Sequence, residues 1–366
     1  MSKLKVHLVA AARPNFMKIA PLYHELKAKD WCLPQVVHSG QHYDYNMSAA
    51  FFEDLGLSEP DFHLGVGSGN HGEQTGRCLI AYEKVLMETR PDWVVVVGDV
   101  NSTMACALAA RKLLIRIAHL EAGLRSFDRT MPEETNRLVT DAIADLLWTH
   151  SPEADQNLIR EGIPARRIEL VGNIMIDSLE MLRARIEAQQ KGVLRELDLE
   201  KGGFGLVTLH RPSNVDQAET LGPLVESLKR LSRELPLVFP LHPRTRDRLA
   251  SFGLWEDFKT APGIKVLDPL GYVRFMGLVF GCRLVITDSG GVQEETTYLG
   301  IPCVTLRPNT ERPVTVSQGT NRLVEPSGLE QAVGEILTDG QGRGQVPAFW
   351  DGRTAGRVAD SLRERS

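Results

Sequence analysis

Short apolar runs alternate along the chain with longer segments in which apolar residues recur every three or four positions. The short runs predict strands buried on both faces, and the periodic segments predict amphipathic helices. The predicted strands of the first half are Leu4–Ala11, Gln35–Ser39, Trp93–Val97, Ile115–Leu120, Leu147–His150 and Ile168–Val171. The predicted helices begin near Phe16, Asp44, Gly72, Ala105 and Pro132 and after Pro152. This alternation predicts a parallel, doubly wound α/β sheet.

A second alternating set follows a charged helical stretch that starts after Gly172-Asn173. Its predicted strands are Phe204–Leu209, Leu237–Leu241, Ile264–Leu267, Leu284–Thr287 and Cys303–Leu306. We therefore predict two Rossmann-like domains, residues 1–172 and 173–348, and a C-terminal helix over 349–366 that packs back on the first domain. The 366 residues also exceed the ~250–300 at which single cores stop growing. Two such domains facing each other would leave a central cleft at the carboxyl ends of both sheets.

Composition excludes several classes of partner. Hydrophobic residues at 42% and charged residues at 24% are typical of a globular domain, and a net charge of -5 argues against nucleic-acid binding. We expect no membrane partner, because no stretch approaches the ~18 uncharged apolar residues of a membrane span. The five cysteines are scattered without a C-x-x-C pair, which favours reduced core residues. A cytoplasmic location is the resulting expectation.

The stretch from His119 to Arg137 carries several acids and arginines beside a predicted buried strand. Glu121 follows that strand directly, at the edge where open α/β sheets bind ligands. An ordinary helix start explains part of the same pattern. Pro132 suits a first turn, Glu133 and Glu134 suit the positive end of the helix, and Glu133 with Arg137 would form an i,i+4 pair worth about 0.3–0.5 kcal/mol. Local chemistry leaves both interpretations open.

Two other strands of the first half end in candidate site residues. Asp99 follows Trp93–Val97 and is either part of a helix cap or a second carboxylate facing Glu121. Carboxylates held close together acquire separated pKa values, which supplies an acid and a base. Arg13 and Lys18 follow the first strand, where they suit a phosphate or carboxylate, although a solvated helix start has the same composition.

The second half contains a predicted anion site. Leu284–Thr287 runs into Asp288-Ser289-Gly290-Gly291, where Ser289 is a candidate helix cap and the glycines leave bare backbone N–H groups for a diphosphate. Glu294 or Glu295 could bind a ribose diol or only complement the helix dipole. His210 follows the predicted strand Phe204–Leu209. It is a candidate phosphate contact or proton donor, and a buried core residue is the alternative. We predict no metal site, since the histidines lack partners at metal-ligand spacing.

Several motifs follow one another along the chain: Gln41-His42-Tyr43-Asp44, Gly98-Asp99, His119-Leu120-Glu121-Ala122-Gly123-Leu124-Arg125, Pro132-Glu133-Glu134-Thr135-Asn136-Arg137, His210-Arg211, Asp288-Ser289-Gly290-Gly291-Val292-Gln293-Glu294-Glu295 and Asn309-Thr310-Glu311-Arg312-Pro313. In this order they resemble the motifs of the non-hydrolysing UDP-N-acetylglucosamine 2-epimerases. The resemblance implies a glycosyltransferase-B-like pair of Rossmann domains and inversion at C2 of a UDP-amino sugar, without a cofactor. We also expect a homodimer, and a product that supplies cell-surface polysaccharide.

The resemblance implies elimination of UDP to a 2-acetamidoglucal, followed by re-addition with a proton on the other face. It assigns acid/base roles to Asp99, Glu121 and Glu133, and stabilisation of departing UDP to His210 and Arg13. The residues implied to bind or support the UDP-sugar are Lys18, Arg137, Ser289, Gly290, Gly291, Glu295 and Arg312. Glu134 is left as a structural residue, because adjacent helical residues cannot both point inward.

Three other functions remain compatible with the motifs. Relatives that act on UDP-diacetamido-uronic acids share most of them. A glycosyltransferase of the same fold would need no set of three acids around C2 and would release UDP only with an acceptor. A nucleotide-sugar sensor would bind without turnover.

Overall fold

The computed structural model describes residues 3–40, 52, 55–339 and 344–366, without the side chains of Arg13 and Asp339. The motif Gln41-His42-Tyr43-Asp44 and most of the helix predicted near Asp44 lie outside the described residues. The chain forms two compact units, one of Met1–Met181 with Ala348–Ser366 and one of Leu182–Pro347.

The first unit contains a parallel sheet of seven strands. They are β1 (Leu4–Ala10), β2 (Cys32–His38), β3 (Phe62–His63), β4 (Trp93–Val97), β5 (Arg116–Leu120), β6 (Leu146–Thr149) and β7 (Ile168–Leu170). The sheet order is β3-β2-β1-β4-β5-β6-β7, and every pairing is parallel. All five residues of β4 are buried, as expected for a central strand covered on both faces. The order reverses between β1 and β4, which places a topological switch point at their carboxyl ends.

Helices connect these strands. They are α1 (Arg13–Lys27), α2 (His71–Thr89), α3 (Asn101–Lys112), α4 (Pro132–Ile143), α5 (Pro152–Arg160) and α6 (Ile174–Glu196). Pro132 and Pro152 begin their helices, as their fixed φ and missing N–H favour. The boundary predicted after residue 172 falls just before α6, whereas the first unit continues into this helix as far as Met181.

The second unit repeats the design with six parallel strands. They are β8 (Gly205–Thr208), β9 (Leu237–Pro240), β10 (Ile264–Leu267), β11 (Leu284–Thr287), β12 (Cys303–Leu306) and β13 (Asn321–Val324), in the order β10-β9-β8-β11-β12-β13. The order reverses between β8 and β11, so this sheet also has a switch point. Two parallel doubly wound units confirm the predicted α/β class.

The helices of the second unit pack on this sheet. They are α7 (Pro212–Val215), α8 (Ala218–Leu231), α9 (Pro243–Ser251), α10 (Trp255–Lys259), α11 (Tyr272–Gly281), α12 (Gly290–Leu299), α13 (Val314–Ser317) and α14 (Leu329–Asp339). One face of α8 joins the strands in a continuous apolar core, which includes Leu224, Leu228 and Phe239. Within the described chain, no helix is long and apolar enough to cross a membrane.

The C-terminal segment belongs to the first unit and ends in helix α15 (Thr354–Glu364). The Trp148 indole donates to Ser361 Oγ at 3.0 Å, and the Trp350 indole donates to the His150 carbonyl at 3.0 Å. Asp177 accepts the Thr354 amide at 3.1 Å and so holds the start of the helix. These buried polar contacts anchor the segment to the strands and helices of the first unit.

Candidate active site

The turn after β5 holds a buried carboxylate next to a lysine. Glu121 is only 3% exposed and has a φ of 70°, an unusual conformation for a residue with a side chain. Its Oε2 accepts from Lys18 Nζ, while Oε1 is buried without a hydrogen-bond partner among the described residues. Buried polar atoms normally have partners, so this oxygen is a candidate ligand contact.

Gly98 lies directly against this ion pair. Its φ is +69°, and a Cβ placed there would lie 3.3 Å from Lys18 Nζ and 3.5 Å from Glu121 Oε2. Asn15 donates to the Val97 carbonyl at 3.0 Å and so links α1 to the end of β4. The structure therefore brings the predicted residues Lys18 and Glu121 together over bare backbone. Arg13 begins α1, but its side chain is outside the described part of the structure.

Two residues of α4 donate hydrogen bonds to Asp99. Arg137 donates to Asp99 Oδ2 through Nε at 3.0 Å and Nη2 at 2.7 Å, and Asn136 donates to the Asp99 carbonyl at 2.8 Å. The Asp99 side chain remains 32% exposed, whereas that of Arg137 is only 4% exposed. A buried guanidinium thus fixes a carboxylate that is still accessible.

The adjacent acids Glu133 and Glu134 have opposite environments. Glu134 is buried and accepts from Arg137 Nη1 at 2.6 Å and from the Ser126 and Phe127 amides at 3.0 Å. Glu133 is partly exposed and makes no hydrogen bond or ion pair with the described residues. The alternative of a Glu133–Arg137 helix pair is wrong, because the guanidinium binds Asp99 and Glu134 instead. Glu134 therefore has a structural environment, and Glu133 is available for chemistry.

A charged network behind these turns was not predicted as a unit. His119 Nδ1 lies 2.6 Å from Asp141 Oδ1, and its Nε2 lies 2.9 Å from the Gly98 carbonyl oxygen. Arg125 lies 2.8 Å from Asp141 Oδ2 and also binds Glu161. Burial raises the pKa of Asp141, but His119 and Arg125 outweigh it, so this pKa lies below its ordinary value. Local sequence offered no signal for this network, because its partners lie 22 residues apart for His119 and Asp141 and 36 apart for Arg125 and Glu161.

In the second unit, the start of α12 presents bare backbone. Ser289 is the N-cap residue by position, but its side chain makes no capping hydrogen bond, so the predicted side-chain cap is wrong. A Cβ at Gly290 would lie 2.7 Å from Arg312 Nη1, whereas a Cβ at Gly291 would meet no described atom within 4 Å. The first-turn amides lack intrahelical acceptors, so the surface at Gly291 can accept an anion.

Asp288 connects this helix start to His210. The buried carboxylate accepts the amides of His210 at 2.9 Å and Arg211 at 2.8 Å, and Oδ1 lies 3.0 Å from His210 Nδ1. Burial raises the pKa of Asp288, but the hydrogen bonds from His210 outweigh it and keep this pKa below its ordinary value. A carboxylate at Nδ1 orients the ring and leaves Nε2 for a ligand. The His210 side chain is 39% exposed.

The inner face of α12 carries two buried glutamates with different partners. Arg312 Nε lies 2.8 Å from Glu294 Oε1, and Tyr272 donates to Glu295 Oε1 at 2.7 Å. Burial raises the pKa of Glu295 to about 7. A carboxyl group that titrates near neutrality can both donate to and accept from a diol. Across the described residues, no group of three His, Cys, Asp or Glu side chains could hold a metal ion.

Comparisons with known proteins agree on one family. The family model described as UDP-N-acetylglucosamine 2-epimerase matches residues 24–363. A relative of that name from Methanococcus maripaludis is 43% identical, covering 91% of this chain and 92% of its own. UDP-2,3-diacetamido-2,3-dideoxy-D-glucuronate 2-epimerase from Pseudomonas aeruginosa is 40% identical, covering 98% of this chain and 99% of its own.

A solved structure extends this similarity to the fold. The crystal structure of Methanocaldococcus jannaschii UDP-GlcNAc 2-epimerase, in complex with UDP-GlcNAc and UDP, has a TM-score of 0.89 and 41% sequence identity. The match covers 99% of this chain and 100% of that one. Similarity therefore extends over both units.

Proposed function

The chain belongs to the UDP-N-acetylglucosamine 2-epimerase family and is an isomerase, and from this premise we propose its substrate and mechanism. The proposed reaction is reversible inversion at C2 of UDP-N-acetylglucosamine, which gives UDP-N-acetylmannosamine. The single observation that carries the proposal is the buried Oε1 of Glu121, which has no hydrogen-bond partner in the described part of the chain, with Lys18 on the other oxygen and Asp99 on the neighbouring strand end.

The substrate chemistry favours an elimination. The C2 proton of an N-acetylhexosamine is not next to a ketone, so its direct removal and return has a high barrier. In the proposed route, a base removes this proton, the C2–H electrons form a C1=C2 double bond, and the C1–O bond breaks with its electron pair leaving on UDP. Re-addition returns the UDP oxygen to C1 and delivers a proton to the opposite face of C2. Atoms and charge balance without a cofactor.

We assign the acid/base steps to Asp99, Glu121 and Glu133. Each well-placed acid or base contributes roughly 10²–10⁴ in rate. Lys18 donates to Glu121, and Arg137 fixes Asp99, so both cations support the carboxylates electrostatically. The partly exposed Glu133 supplies an acid whose charge no described neighbour neutralises. Substitution of each acid decides which one removes the C2 proton.

We assign UDP to the second unit, with Arg13 as a further cation. Ser289, Gly290 and Gly291 would receive the diphosphate on the backbone N–H groups of α12. Departure of UDP develops negative charge on the leaving oxygen, and His210, oriented by Asp288, would stabilise it. We assign Glu295 to the ribose. Arg312 pairs with Glu294 and lies next to Gly290, so we assign it to support of the Gly290 backbone.

Incubation with UDP-N-acetylglucosamine in deuterated water tests the proposal. Proton NMR should show deuterium at C2 in a mixture of the gluco and manno epimers. Ligand binding should be measured on the same sample. Bound ligand with neither deuterium nor the second epimer would overturn the epimerase assignment.

A second substrate deserves a parallel assay, because the Pseudomonas aeruginosa relative is 40% identical over nearly the whole chain. We expect a higher kcat/KM for UDP-N-acetylglucosamine than for UDP-2,3-diacetamido-2,3-dideoxy-D-glucuronate. The reverse order would move the proposal to the uronic acid. UDP release that requires an added acceptor would instead indicate a transferase.

Assembly and cellular role complete the proposal. We propose a cytoplasmic homodimer whose product feeds cell-surface polysaccharide. Analytical ultracentrifugation should give twice the chain mass of 40.6 kDa. Cell fractionation should recover the activity with the cytoplasm, and deletion in the source organism should deplete N-acetylmannosamine from its surface polymers.

A further inference from the structure

Both ring nitrogens of His119 face oxygen atoms. His119 is fully buried on β5, two residues before Glu121. Its Nε2 lies 2.9 Å from the Gly98 carbonyl oxygen, and its Nδ1 lies 2.6 Å from Asp141 Oδ1. A carbonyl oxygen can only accept, so Nε2 must carry a proton. An ionised Asp141 also accepts, which requires a second proton on Nδ1.

The surroundings of Asp141 favour its ionised form. Its Oδ2 accepts the Gly123 amide at 3.1 Å and lies 2.8 Å from Arg125 Nη2. Arg125 in turn binds Glu161, whose side chain is 33% exposed. With His119 doubly protonated, positive and negative charges alternate from β5 to solvent in the order His119, Asp141, Arg125 and Glu161. Buried charges persist in proteins when they are paired in this way.

The His119–Asp141 pair holds both turns that carry the proposed acids. The Gly98 carbonyl belongs to the peptide that leads into Asp99, and His119 donates to it. The Gly123 amide lies in the turn that follows Glu121, and Asp141 accepts it. Both turns have left-handed backbone, with a φ of 69° at Gly98 and 70° at Glu121. One buried ion pair therefore connects two turns that are strained or glycine-dependent.

We propose that His119, as an imidazolium, and Asp141 are positioning residues that set Asp99 and Glu121 relative to each other. The inference rests on the proposed acid/base roles of those two carboxylates. His119 acts through the Gly98 carbonyl and does not touch the sugar. Misplacement of a reacting group by about 1 Å costs on the order of 10² in rate, so loss of this contact should mainly reduce kcat.

Two substitutions of similar size separate the two contacts of His119. The amide nitrogen of His119→Gln can occupy the place of Nε2 and donate to the Gly98 carbonyl. The amide of His119→Asn reaches only the place of Nδ1, beside Asp141. We expect kcat for His119→Asn to fall about 100-fold and for His119→Gln less than about tenfold. UDP affinity and KM should stay within a few-fold of wild type in both variants.

Two kinetic outcomes would overturn the inference. Full activity of His119→Asn would show that the Gly98 contact has no role in positioning. An equal loss of kcat in His119→Gln and His119→Asn would show that the donor to Gly98 is not the group that matters. Deuterium incorporation at C2 should fall in parallel with kcat, since proton removal is the step that needs both carboxylates.

A measurement on the wild-type protein remains decisive if either variant fails to fold. In protein labelled with ¹⁵N-histidine, both ring nitrogens of His119 should carry protons at pH 7.5, because each faces an oxygen that accepts. The charged groups around the ring are Asp141, Arg125 and Glu161, with the Lys18–Glu121 pair at the adjacent turn. A neutral His119 ring at pH 7.5 would overturn the inference. Full turnover by Asp99→Asn would instead refute the proposed acid/base role of Asp99, and absence of epimerisation with ligand bound would refute the proposed function; both would leave this NMR result unchanged.

Discussion

Glu133 and Glu134 are neighbours on α4, and their substitution by glutamine should separate chemistry from stability. Glu134 accepts four hydrogen bonds, from the Ser126 amide and hydroxyl, the Phe127 amide and Arg137 Nη1. Three of these donors share Oε2, and the Phe127 amide uses Oε1. Glu133 has no such partners among the described residues. The pair is therefore a matched test within one helix turn.

The structure sets the size of the effect at Glu134. Glutamine is neutral, so the substitution removes the charge opposite Arg137. Its side chain has one acceptor oxygen, and if this oxygen takes the place of Oε2, the NH₂ group faces the Phe127 amide and that hydrogen bond is lost. Loss of a charge-assisted bond costs about 1.5–3 kcal/mol and loss of the neutral bond about 0.5–1 kcal/mol, so Glu134→Gln should lose roughly 2–4 kcal/mol. The first unit has 200 residues. At roughly 2–4 °C per kcal/mol for that size, Tm should fall by about 4–16 °C.

Glu133→Gln should behave in the opposite way. Substitutions outside buried networks usually change stability by less than about 0.5 kcal/mol, whereas removing an acid/base group should reduce kcat by at least about 10². Thermal unfolding and turnover of UDP-N-acetylglucosamine, measured on the same preparations, give both quantities. Equal loss of Tm in the two variants, or full activity of Glu133→Gln, would refute the division between a structural and a catalytic glutamate.

Three further predictions concern the other parts of the site. Asp99→Asn should reduce kcat by at least about 10² while UDP affinity, measured by calorimetry, stays within a few-fold; a large loss of affinity would place Asp99 in the nucleotide site. Gly291→Ala should fold normally, because its Cβ meets none of the described residues within 4 Å, but should bind UDP about tenfold more weakly by calorimetry. Unchanged affinity would refute the diphosphate site, and Gly334→Ala, where the Cβ likewise meets none of them, is the control. Burial, with a contribution from Lys5, lowers the pKa of His7 from 6.5 to about 4, so its stabilising effect is complete above pH 6.5 and is lost as the pH falls toward 4. The free energy of unfolding in urea should fall by up to roughly 3 kcal/mol over this pH range. If the free energy of unfolding of His7→Gln depended on pH as steeply as that of wild type, the contribution assigned to His7 would be contradicted.

The central strands could be predicted because their residues are apolar without interruption. Trp93–Val97 and Leu284–Thr287 were predicted with their observed bounds. Edge strands were harder, since β13 (Asn321–Val324) mixes polar and apolar residues and β3 has only two residues. β2 begins at Cys32 rather than Gln35 despite Pro34, because β3 pairs only with Val37 and His38 and so leaves that end of β2 at the sheet edge.

The site could be located from strand ends, but its contacts could not be predicted. Asp99 and Glu121 follow parallel strands that are neighbours in the sheet, so pattern alone places them at one edge. The sequence does not reveal which of two adjacent glutamates Arg137 selects, because that depends on how α4 is rotated against the sheet. The role of His119 was hidden for a similar reason, since its partners Gly98 and Asp141 are distant in sequence.

Cleavage of the bond between C1 and the UDP oxygen is the central claim, and positional isotope exchange tests it most directly. The substrate is UDP-N-acetylglucosamine with ¹⁸O in the bridge between C1 and the β-phosphorus. Each elimination lets the bound β-phosphate rotate before re-addition, so ³¹P NMR should show ¹⁸O moving to non-bridging positions during epimerisation. Epimerisation at C2 with all of the ¹⁸O still in the bridge would contradict elimination of UDP and the roles assigned to His210 and the start of α12.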